Sequence, residues 1–404
     1  MSRQPGRNGS VPKKAAYVAT VYAHLAAFHL PFMEDLQKAG YEVHAYACPD
    51  HRRQEVAGSG FECRDVSFSR NPLSFGNVRA FHSMRSWLKR ESYEIVHVHT
   101  PNASVITRLA ALAAGQRNVF YTAHGFHFYK GAPFLNWLLY YPLERLAARF
   151  TDVLITINGE DCRRASRFGV RGRVALVPGV GVEAEAYQTA EDGRVKRLKA
   201  ELGITGSPLI VLCMAELNRN KNQEQLLRAV HDLTSCGIPV ICLLAGTGNM
   251  EQHYKRLARE LNIGHAVRFL GHRSDGPLLM AAADAVALVS KREGLPKVLL
   301  EALSAGKPVV ATDIRGCRDL VADRDNGFLI PVGNIPATAN ALCELYLHKE
   351  LRSQMGARSR EKSGQYRLNT VRALLRDLYD SQLGRESGNS ALISFGHSSG
   401  REKV

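Results

Sequence analysis

Short apolar segments alternate with helical stretches along almost the whole chain, and this alternation constrains the fold more than any other feature. Each segment has the length and composition of a strand buried in a sheet. In the first half the segments are residues 15–21, 42–47, 94–99, 118–122, 152–157 and 173–177. In the second half they are residues 209–214, 239–245, 267–270, 285–289, 308–311 and 327–330. Because strands joined through helices pair in parallel, the sequence predicts an α/β protein built on parallel sheets.

The length of the chain points to two domains. Its 404 residues exceed what one hydrophobic core usually serves, and 45% of them are hydrophobic. Between the two groups of strands, a PGVG turn precedes a polar run that contains no strand pattern. We therefore predict a first domain over residues 15–182, a linker over 183–193 and a second domain over 194–367. A basic arm at residues 1–14 and a Ser- and Gly-rich tail at 385–404 are predicted to be disordered.

Neither a membrane span nor a secretion signal is predicted. No uncharged apolar run reaches the roughly 18 residues that a spanning helix needs. The N-terminal arm leads into no separate apolar segment that ends in a cleavage site. We therefore expect a cytoplasmic protein.

The cysteines and acidic pairs give no sign of a metal centre. None of the eight cysteines stands in a C-x-x-C pair, and Cys213, Cys242 and Cys343 lie inside apolar runs. Reduced, packed thiols are therefore expected rather than zinc ligands or disulfides. The string Asp323-Arg-Asp325 could mimic a metal-binding pair, but the Asn and Gly that follow it indicate a turn before a strand. We expect no metal.

The net charge of +15 is divided almost evenly between the two halves of the chain. No nucleic-acid-binding motif accompanies it, so a diffuse excess of this kind favours anionic lipid over nucleic acid. Residues 136–149 combine aromatic side chains with a basic helical turn, which would suit a patch that receives a lipid-linked acceptor. Aromatic residues at helical spacing more often pack in a core. We expect peripheral contact with the inner face of an anionic membrane.

The stretch EGLPKVLLE, residues 293–301, carries the strongest sign of a ligand site. Glu293 precedes a probable helix start and Glu301 lies within the helix. With Pro296 at the first helical position, free amides of the first turn would face Gly294 and form an anion pocket. Two acids at this spacing are usually surface residues when they occur alone. Here the strands predicted on either side place them at the carboxyl end of a strand, where open α/β sheets bind ligands.

With its flanking strands, this stretch resembles glycosyltransferase family 4, and most of all its bacterial exopolysaccharide and capsule members. The resemblance runs from about residue 15 to about residue 383. It implies the GT-B fold, in which two Rossmann-like domains with parallel sheets face each other across an interdomain cleft. It also implies that the helical stretch 368–384 crosses back to pack on the first domain.

The resemblance further implies a retaining transferase that moves a hexose or an N-acetylhexosamine from a nucleoside diphosphate sugar, with UDP preferred. The acceptor would be a polyprenyl-linked saccharide in exopolysaccharide, capsule or O-antigen biosynthesis. The first domain would hold the acceptor and the second domain the donor. No cofactor is implied beyond the sugar nucleotide itself.

Lys221 is the candidate cation for the diphosphate. It follows a predicted strand and stands at a helix start, where a cation is disfavoured unless an anion is bound. A solvated lysine is otherwise the commoner interpretation of one such residue. The family usually has an arginine where this chain has Glu216, and Arg219 lies close enough in sequence to substitute for it.

The remaining donor contacts are implied by the resemblance. Glu293 would orient the donor hexose and Glu301 would bind the ribose, while the amides of Gly294 and Leu295 would hold the diphosphate. A strand followed by a glycine turn, LAGTGN, and a later FLGH segment resemble the part of the family that holds the base. The second-rank donor contacts predicted there are Gly246, Gly248 and His272.

In the first half, the TAHGF segment at residues 122–126 follows a strand and matches the histidine of the family's first domain. His124 is therefore predicted to act with Glu293 and Lys221, by hydrogen-bonding a sugar hydroxyl or the departing phosphate. The segment 21–31, VYAHLAAFHLP, is predicted to be a loop. Both segments are expected to face the cleft.

Other histidines are less specific. His24 and His127 are predicted on the acceptor side, although each of them, like His29, could equally be a loop or core histidine satisfied by backbone groups. His97 and His99 lie on an alternating strand, which more often indicates a structural role.

Three rival functions stay open at this point. A nucleotide-sugar epimerase of the same fold would need acid and base carboxylates aimed at the sugar ring and no acceptor site. An inactive sugar-nucleotide-binding partner would be favoured if Glu216 marks a decayed site. A nicotinamide oxidoreductase is disfavoured, because residues 21–30 contain no glycine and so no G-x-G-x-x-G follows the first strand.

Overall fold

The computed structural model describes residues 13–69, 71, 74–188 and 191–385, and its strands form two separate parallel sheets. The strands of the first sheet are β1 (Lys13–Val21), β2 (Tyr41–Cys48), β3 (Glu62–Asp65), β4 (Ile95–His99), β5 (Val119–Ala123), β6 (Val153–Thr156) and β7 (Arg173–Leu176). The strands of the second sheet are β8 (Leu209–Met214), β9 (Val240–Ala245), β10 (Val267–Gly271), β11 (Ala285–Leu288), β12 (Val309–Thr312) and β13 (Gly327–Ile330). The sequence missed only β3, whose segment ECRD has no apolar run and forms an edge of its sheet.

Helices alternate with these strands, as the sequence predicted. They are α1 (Tyr22–Phe28), α2 (Leu30–Lys38), α3 (Arg53–Gly58), α4 (Gly76–Glu91), α5 (Pro101–Ala114), α6 (Phe134–Ala148), α7 (Gly159–Ala165), α8 (Asp192–Glu201), α9 (Gln223–Ser235), α10 (Glu251–Glu260), α11 (Gly276–Ala282), α12 (Lys297–Ser304), α13 (Cys317–Leu320), α14 (Ile335–Leu347), α15 (Lys349–Lys362) and α16 (Leu368–Gln382). Short 3-10 helices lie at Ala184–Tyr187 and Ser363–Tyr366. Across the described ranges, no helix combines the length and apolar character that crossing a membrane requires.

Each sheet is buried on both faces, which explains why its strands are continuous apolar runs. On β1, Ala16 and Val18 belong to one hydrophobic core, while Tyr17 and Ala19 belong to the core on the opposite face. The second sheet likewise divides its side chains between two cores. The fold is therefore a pair of Rossmann-like α/β domains, which confirms the predicted fold class.

The order of the strands shows where ligands should bind. The first sheet has the order β3-β2-β1-β4-β5-β6-β7 and the second has the order β10-β9-β8-β11-β12-β13. Each order reverses direction once, between β1 and β4 in the first sheet and between β8 and β11 in the second. In open α/β sheets the ligand crevice lies beyond the carboxyl ends of the strands at such a switch point. The segments after these four strands are therefore the first candidates for a site.

The last helix of the described chain returns to the first domain. On α16, Val371, Leu375 and Leu378 pack into the same core as Tyr17 of β1. Tyr379 adds a buried hydrogen bond between its hydroxyl and that of Tyr17, at 2.7 Å. The C-terminal end of the chain thus ties the two domains together a second time, in addition to the connection after β7.

Several expected boundaries were wrong. The segment 21–31 is not a loop, because α1 and the start of α2 occupy it with a break at His29. Lys13 and Lys14, expected in the disordered arm, belong to β1. The predicted linker contains the 3-10 helix Ala184–Tyr187 and the start of α8. The rest of the predicted arm, residues 1–12, and the tail residues 386–404 lie outside the described residues.

Candidate active site in the interdomain cleft

The loop between β11 and α12 carries the predicted anion pocket. Pro296 has φ −74° and ψ 116°, so it caps the helix, and the first helical residue is Lys297. The prediction that Pro296 occupies the first helical position was therefore wrong by one residue. The fixed φ of proline suits either position, and only its extended ψ places it before the helix. The unbonded amides of the first turn still adjoin the loop of Gly294 and Leu295.

At Gly294 the backbones of the two domains lie in close contact. A Cβ atom at this position would lie 2.0 Å from the carbonyl oxygen of His124 in the first domain. The Nδ2 atom of Asn158 donates a hydrogen bond to the Gly294 carbonyl at 3.1 Å. On the other side, a Cβ atom at Gly316 would lie 2.2 Å from the same carbonyl oxygen. Only glycine fits position 294 in this closed arrangement.

Lys221 and Glu293 form an ion pair across the switch point of the second sheet. The Lys221 Nζ atom lies 2.6 Å from Glu293 Oε1, and both side chains are mostly buried. Lys221 immediately precedes Asn222, which has a left-handed φ of 56° at the start of α9. The lysine is therefore held at a helix N-terminus, where its charge is balanced by the carboxylate.

A cavity of about 360 Å³ opens between the domains at this point. The second domain contributes Lys221, Glu293, Gly294 and Leu295 to its wall, and the first domain contributes His24 and His124. Its volume falls in the range of small-molecule sites, roughly 300–1,000 Å³. The structure thus brings residues predicted for donor, acceptor and catalysis to one cleft.

A second cavity of about 310 Å³ lies beside the ends of β8 and β9. Its wall includes Gly246 and His272, both predicted to contact the base, and also Glu216. Met214 lines both cavities, so the two are neighbours. Arg219 lies exposed in the turn before Lys221.

The two glycines predicted near the base both lie against the segment that follows β8. Gly246 has a φ of +144°, and a Cβ atom there would lie 2.1 Å from the carbonyl oxygen of Ala215. Gly248 would place a Cβ atom 2.3 Å from the carbonyl oxygen of Leu217. Gly248 therefore lets the glycine turn pack against the segment after β8.

Glu301 is a buried acid rather than a solvated helix position. Only 8% of the residue is exposed. Burial raises the pKa of the Glu301 carboxyl, while Lys297 and the hydroxyl of Tyr187 act in the opposite direction. The Lys297 Nζ atom lies 3.8 Å from Glu301 Oε1. Tyr187 belongs to the segment that was predicted to be a linker.

Histidine rings crowd the first domain's side of the cleft. His124 Nε2 is 3.4 Å from His99 Nδ1, and the rings of His29 and His99 stack with centroids 3.7 Å apart. Burial lowers the pKa of each of these rings and brings the pKa of His24 to about 4. They are therefore neutral near pH 7. His127 lies apart from this group and stacks on Tyr140 of α6 at 4.7 Å.

One feature of the site was missed from the sequence. Arg315, three residues after β12, pairs with Asp161 of the first domain at 2.7 Å, and both side chains are buried. The arginine also donates hydrogen bonds to the carbonyl oxygens of Phe126 and Glu293. Arg315 follows the end of a predicted strand, and this position could have identified it as a site residue, as it identified Lys221. Arg315 thus connects the segment after β5 in the first domain with the loop before α12 in the second domain.

Two protein-family models match this chain, one in each of its two domains. The model of the family "Glycosyl transferases group 1" matches residues 195–362, and that of "Glycosyl transferase 4-like domain" matches residues 26–179. The chain is 37% identical over 381 residues to EpsD of Bacillus subtilis (strain 168), a protein named as a glycosyltransferase without a stated substrate. That match covers 93% of this chain and 98% of EpsD.

Two further similarities are informative. The chain is 28% identical over 286 residues to UDP-Gal:alpha-D-GlcNAc-diphosphoundecaprenol alpha-1,3-galactosyltransferase of Escherichia coli, covering 69% of this chain and 72% of that protein. The crystal structure of Anabaena HepE with UDP-glucose matches with a TM-score of 0.75 at 22% identity. That match covers 91% of this chain and 99% of HepE, and it shows that the two share a fold.

Proposed function

The chain belongs to the group 1 glycosyltransferases, with a 4-like N-terminal domain, and on that premise we propose that it transfers a sugar from a UDP-sugar donor. The sugar is a hexose or an N-acetylhexosamine, and the acceptor is a polyprenyl-linked saccharide in exopolysaccharide, capsule or O-antigen biosynthesis. The observation that carries this proposal is the cleft with the Lys221 and Glu293 pair on one wall and His124 on the other. The polyprenyl-linked acceptor of the Escherichia coli relative and the UDP-glucose bound to HepE support the proposed acceptor and donor, respectively.

Different parts of the donor occupy the two cavities in this proposal. The base lies in the cavity of Gly246 and His272, and the diphosphate lies at Lys221 and the amides after Gly294. A helix start and a cation converge on that point, which favours an anion. Glu301 binds the ribose hydroxyls. The acceptor approaches from the side of the first domain, past His24 and His124.

The chemical step separates charge. The bond between the anomeric carbon and the diphosphate oxygen breaks, the sugar becomes oxocarbenium-like, and negative charge grows on the leaving phosphate. Lys221, the helix amides and the nearby Arg219 stabilise that charge. Electrostatic stabilisation of this kind is usually the largest single contribution to catalysis. The departing phosphate takes the proton of the acceptor hydroxyl as the new bond forms on the same face, so the anomeric configuration is retained. Glu293 orients the hexose, and His124 hydrogen-bonds a sugar hydroxyl or the phosphate.

The transfer needs no metal ion in this proposal, because cations and amides of the chain neutralise the diphosphate. Activity should therefore survive EDTA. Asp323 accepts a hydrogen bond from the Leu329 amide at 2.9 Å, as expected for an acid that shapes a turn. Full loss of activity that manganese restores would instead assign a metal role to Asp323 and Asp325.

We also propose that α6 brings the protein to the inner face of an anionic cell membrane. Trp137 and Tyr141 pack inward against the core of the first domain, so the core interpretation holds for these aromatic residues. The opposite face of the helix is apolar and open. Its exposed residues are Phe134 (77% exposed), Leu135 (65%), Leu138 (58%) and Leu139 (60%). Exposed Arg145 and Arg149 follow at the C-terminal end of the same helix, and this combination suits anionic head groups.

Binding to lipid vesicles tests this surface. Replacing Leu138 and Leu139 together by serine should weaken binding to phosphatidylglycerol vesicles and leave donor binding intact. Leu347 on α14 is 61% exposed outside this patch and serves as the control, since Leu347→Ser should change neither property. If the wild type, the double variant and Leu347→Ser all bind vesicles equally well, α6 is not the surface that contacts the membrane.

A thermal-shift screen tests the proposed donor, because a ligand that binds only the folded state raises its stability. A UDP-sugar should raise the unfolding temperature more than the matching GDP-sugar, and the same UDP-sugar should support transfer to a lipid-linked saccharide. Conversion of the donor without any acceptor would identify an epimerase. Donor binding with no transfer to any lipid-linked acceptor would favour an inactive binding partner.

A further inference from the structure

Three histidines of the first domain converge beside the cleft, although they are far apart in sequence. His24 lies on α1, His29 lies between α1 and α2, and His124 follows β5. One ring nitrogen of each lies within 4.8 Å of those of the other two. The ring centroids are 4.9 Å apart for His24 and His124, 5.1 Å for His24 and His29, and 5.3 Å for His29 and His124.

The hydrogen bonding of this group is incomplete. The Nε2 atoms of His24 and His29 are buried and have no hydrogen-bond partner in the described part of the chain. His29 itself is only 3% exposed. Buried polar atoms in folded proteins nearly always have a partner, and an exception calls for an explanation such as a bound ion. Two such atoms in adjacent rings are difficult to explain by packing alone.

We propose that His24, His29 and His124 form a binding site for a divalent transition-metal ion of the zinc type, and that its occupancy reversibly inhibits transfer. Imidazole nitrogen is a preferred ligand of Zn²⁺, and three protein ligands with a fourth position open to water or another ligand are a known arrangement of zinc sites. A neutral imidazole offers one ring nitrogen as a ligand, and the unpartnered Nε2 atoms of His24 and His29 are available for this role. His24 and His124 line the 360 Å³ cavity, which gives the ion a path from solvent.

The surroundings do not oppose a dication. The two lysines that line the cavity are paired with acids, Lys221 with Glu293 at 2.6 Å and Lys297 with Glu301 at 3.8 Å, and Arg315 is paired with Asp161. The ion is not part of the proposed transfer, in which amides and cations of the second domain handle the diphosphate. It would instead engage His124 and His24 and so remove them from contact with donor and acceptor. Inhibition is the expected result.

Calorimetry with zinc chloride on the full-length protein without a histidine tag tests the site directly. We expect one Zn²⁺ ion per chain, and His24→Asn and His29→Asn should each weaken binding about tenfold or more because a ligand is lost. Two variants are matched controls. Glu62→Gln removes a ligand from the other candidate group, Glu42, His44 and Glu62, and Cys236→Ser removes an exposed thiol. Both should bind zinc as the wild type does.

Cobalt reports the ligand type without any substitution. Co²⁺ bound to the wild-type protein should show visible bands of a tetrahedral nitrogen site and no thiolate charge-transfer band. If His29→Asn fails to fold, this spectrum and the His24→Asn variant decide the question, because residue His24 as a whole is only partly buried. The proposal is overturned if zinc does not bind, if both histidine variants bind it normally, or if Glu62→Gln or Cys236→Ser abolishes binding.

Inhibition is measured separately. Zinc should lower transferase activity over the same concentration range in which it binds, and EDTA should restore it. Binding that leaves activity unchanged would overturn the inhibitory role. A chain that binds zinc as expected but transfers no sugar would count against the proposed function and not against the metal site.

Discussion

At the residue scale, Lys221 and Arg219 compete for the diphosphate. Lys221 is fixed by its pairing with Glu293, whereas Arg219 lies exposed in the preceding turn. Lys221→Ala should therefore reduce turnover by about 10²-fold or more, as expected for the loss of one preorganised charge-stabilising group, with a smaller effect on donor affinity. Arg219→Ala should be milder. Steady-state kinetics of both variants test which cation stabilises the diphosphate. If Lys221→Ala keeps near-normal turnover while Arg219→Ala is inactive, that role belongs to Arg219.

Glu301 offers a second test at this scale. If its carboxylate accepts hydrogen bonds from ribose hydroxyls, Glu301→Gln should weaken donor binding by on the order of 1–3 kcal/mol. Titration calorimetry with the donor measures this change. Glu350, an exposed acid on α15, is the control, and Glu350→Gln should bind the donor normally. An unchanged affinity of Glu301→Gln would show that the buried acid serves only the packing against Tyr187.

At the scale of elements, the loop before α12 is clamped between the domains. Gly294→Ala should push the loop away from the His124 carbonyl, because the added Cβ atom would lie 2.0 Å from that oxygen. The cleft should widen, and kcat/KM should fall by about 10²-fold through misplacement of Glu293. Gly364 has no atom within 4 Å of an added Cβ, so Gly364→Ala is the matched control.

Small-angle scattering and kinetics together test the clamp. The radius of gyration of Gly294→Ala should exceed that of the wild type, and Gly364→Ala should match the wild type in both measurements. Wild-type activity of Gly294→Ala would mean that the catalytic arrangement does not need this contact between the domains.

At the scale of the whole molecule, a buried histidine connects the last helix to the first sheet. The ring of His97 is hydrogen-bonded to the Tyr379 hydroxyl of α16 and to the Thr122 hydroxyl, and burial lowers its pKa to about 3. The unfolded chain has an ordinary histidine pKa, so it binds more protons than the folded chain between these two values. Stability therefore rises with pH across that window and is lost as the pH falls below about 6.5.

This linkage gives a prediction about acid sensitivity. Between about pH 7 and about pH 5, His97 should account for a loss of roughly 2 kcal/mol of stability. Urea unfolding at both pH values measures it. His97→Gln should lower stability at pH 7 but flatten the dependence on pH, whereas replacement of the exposed His265 by Gln should leave the slope unchanged. An equal slope in the wild type and in His97→Gln would contradict the assignment.

The two parallel sheets and the segments that reach the site could be predicted from local sequence patterns. Buried strands and amphipathic helices differ in the period of their apolar residues, and that period depends on neighbours a few positions away. Lys221 and Glu293 were selected in the same way, from their places after predicted strands. The short edge strand β3 and the helices at residues 22–38 were not predicted. The strand lacks an apolar run, and the histidines of the helical segment suggested a binding loop and not a helix.

Which of these residues come into contact could not be predicted before the domains were seen folded and packed together. The pairing of Arg315 with Asp161, the clash that requires glycine at position 294, and the convergence of His24, His29 and His124 all join distant parts of the chain. Such contacts depend on how helices dock on a sheet and how one domain closes on the other. No local pattern encodes that docking, because packing complementarity is a property of surfaces that form only after the elements have folded.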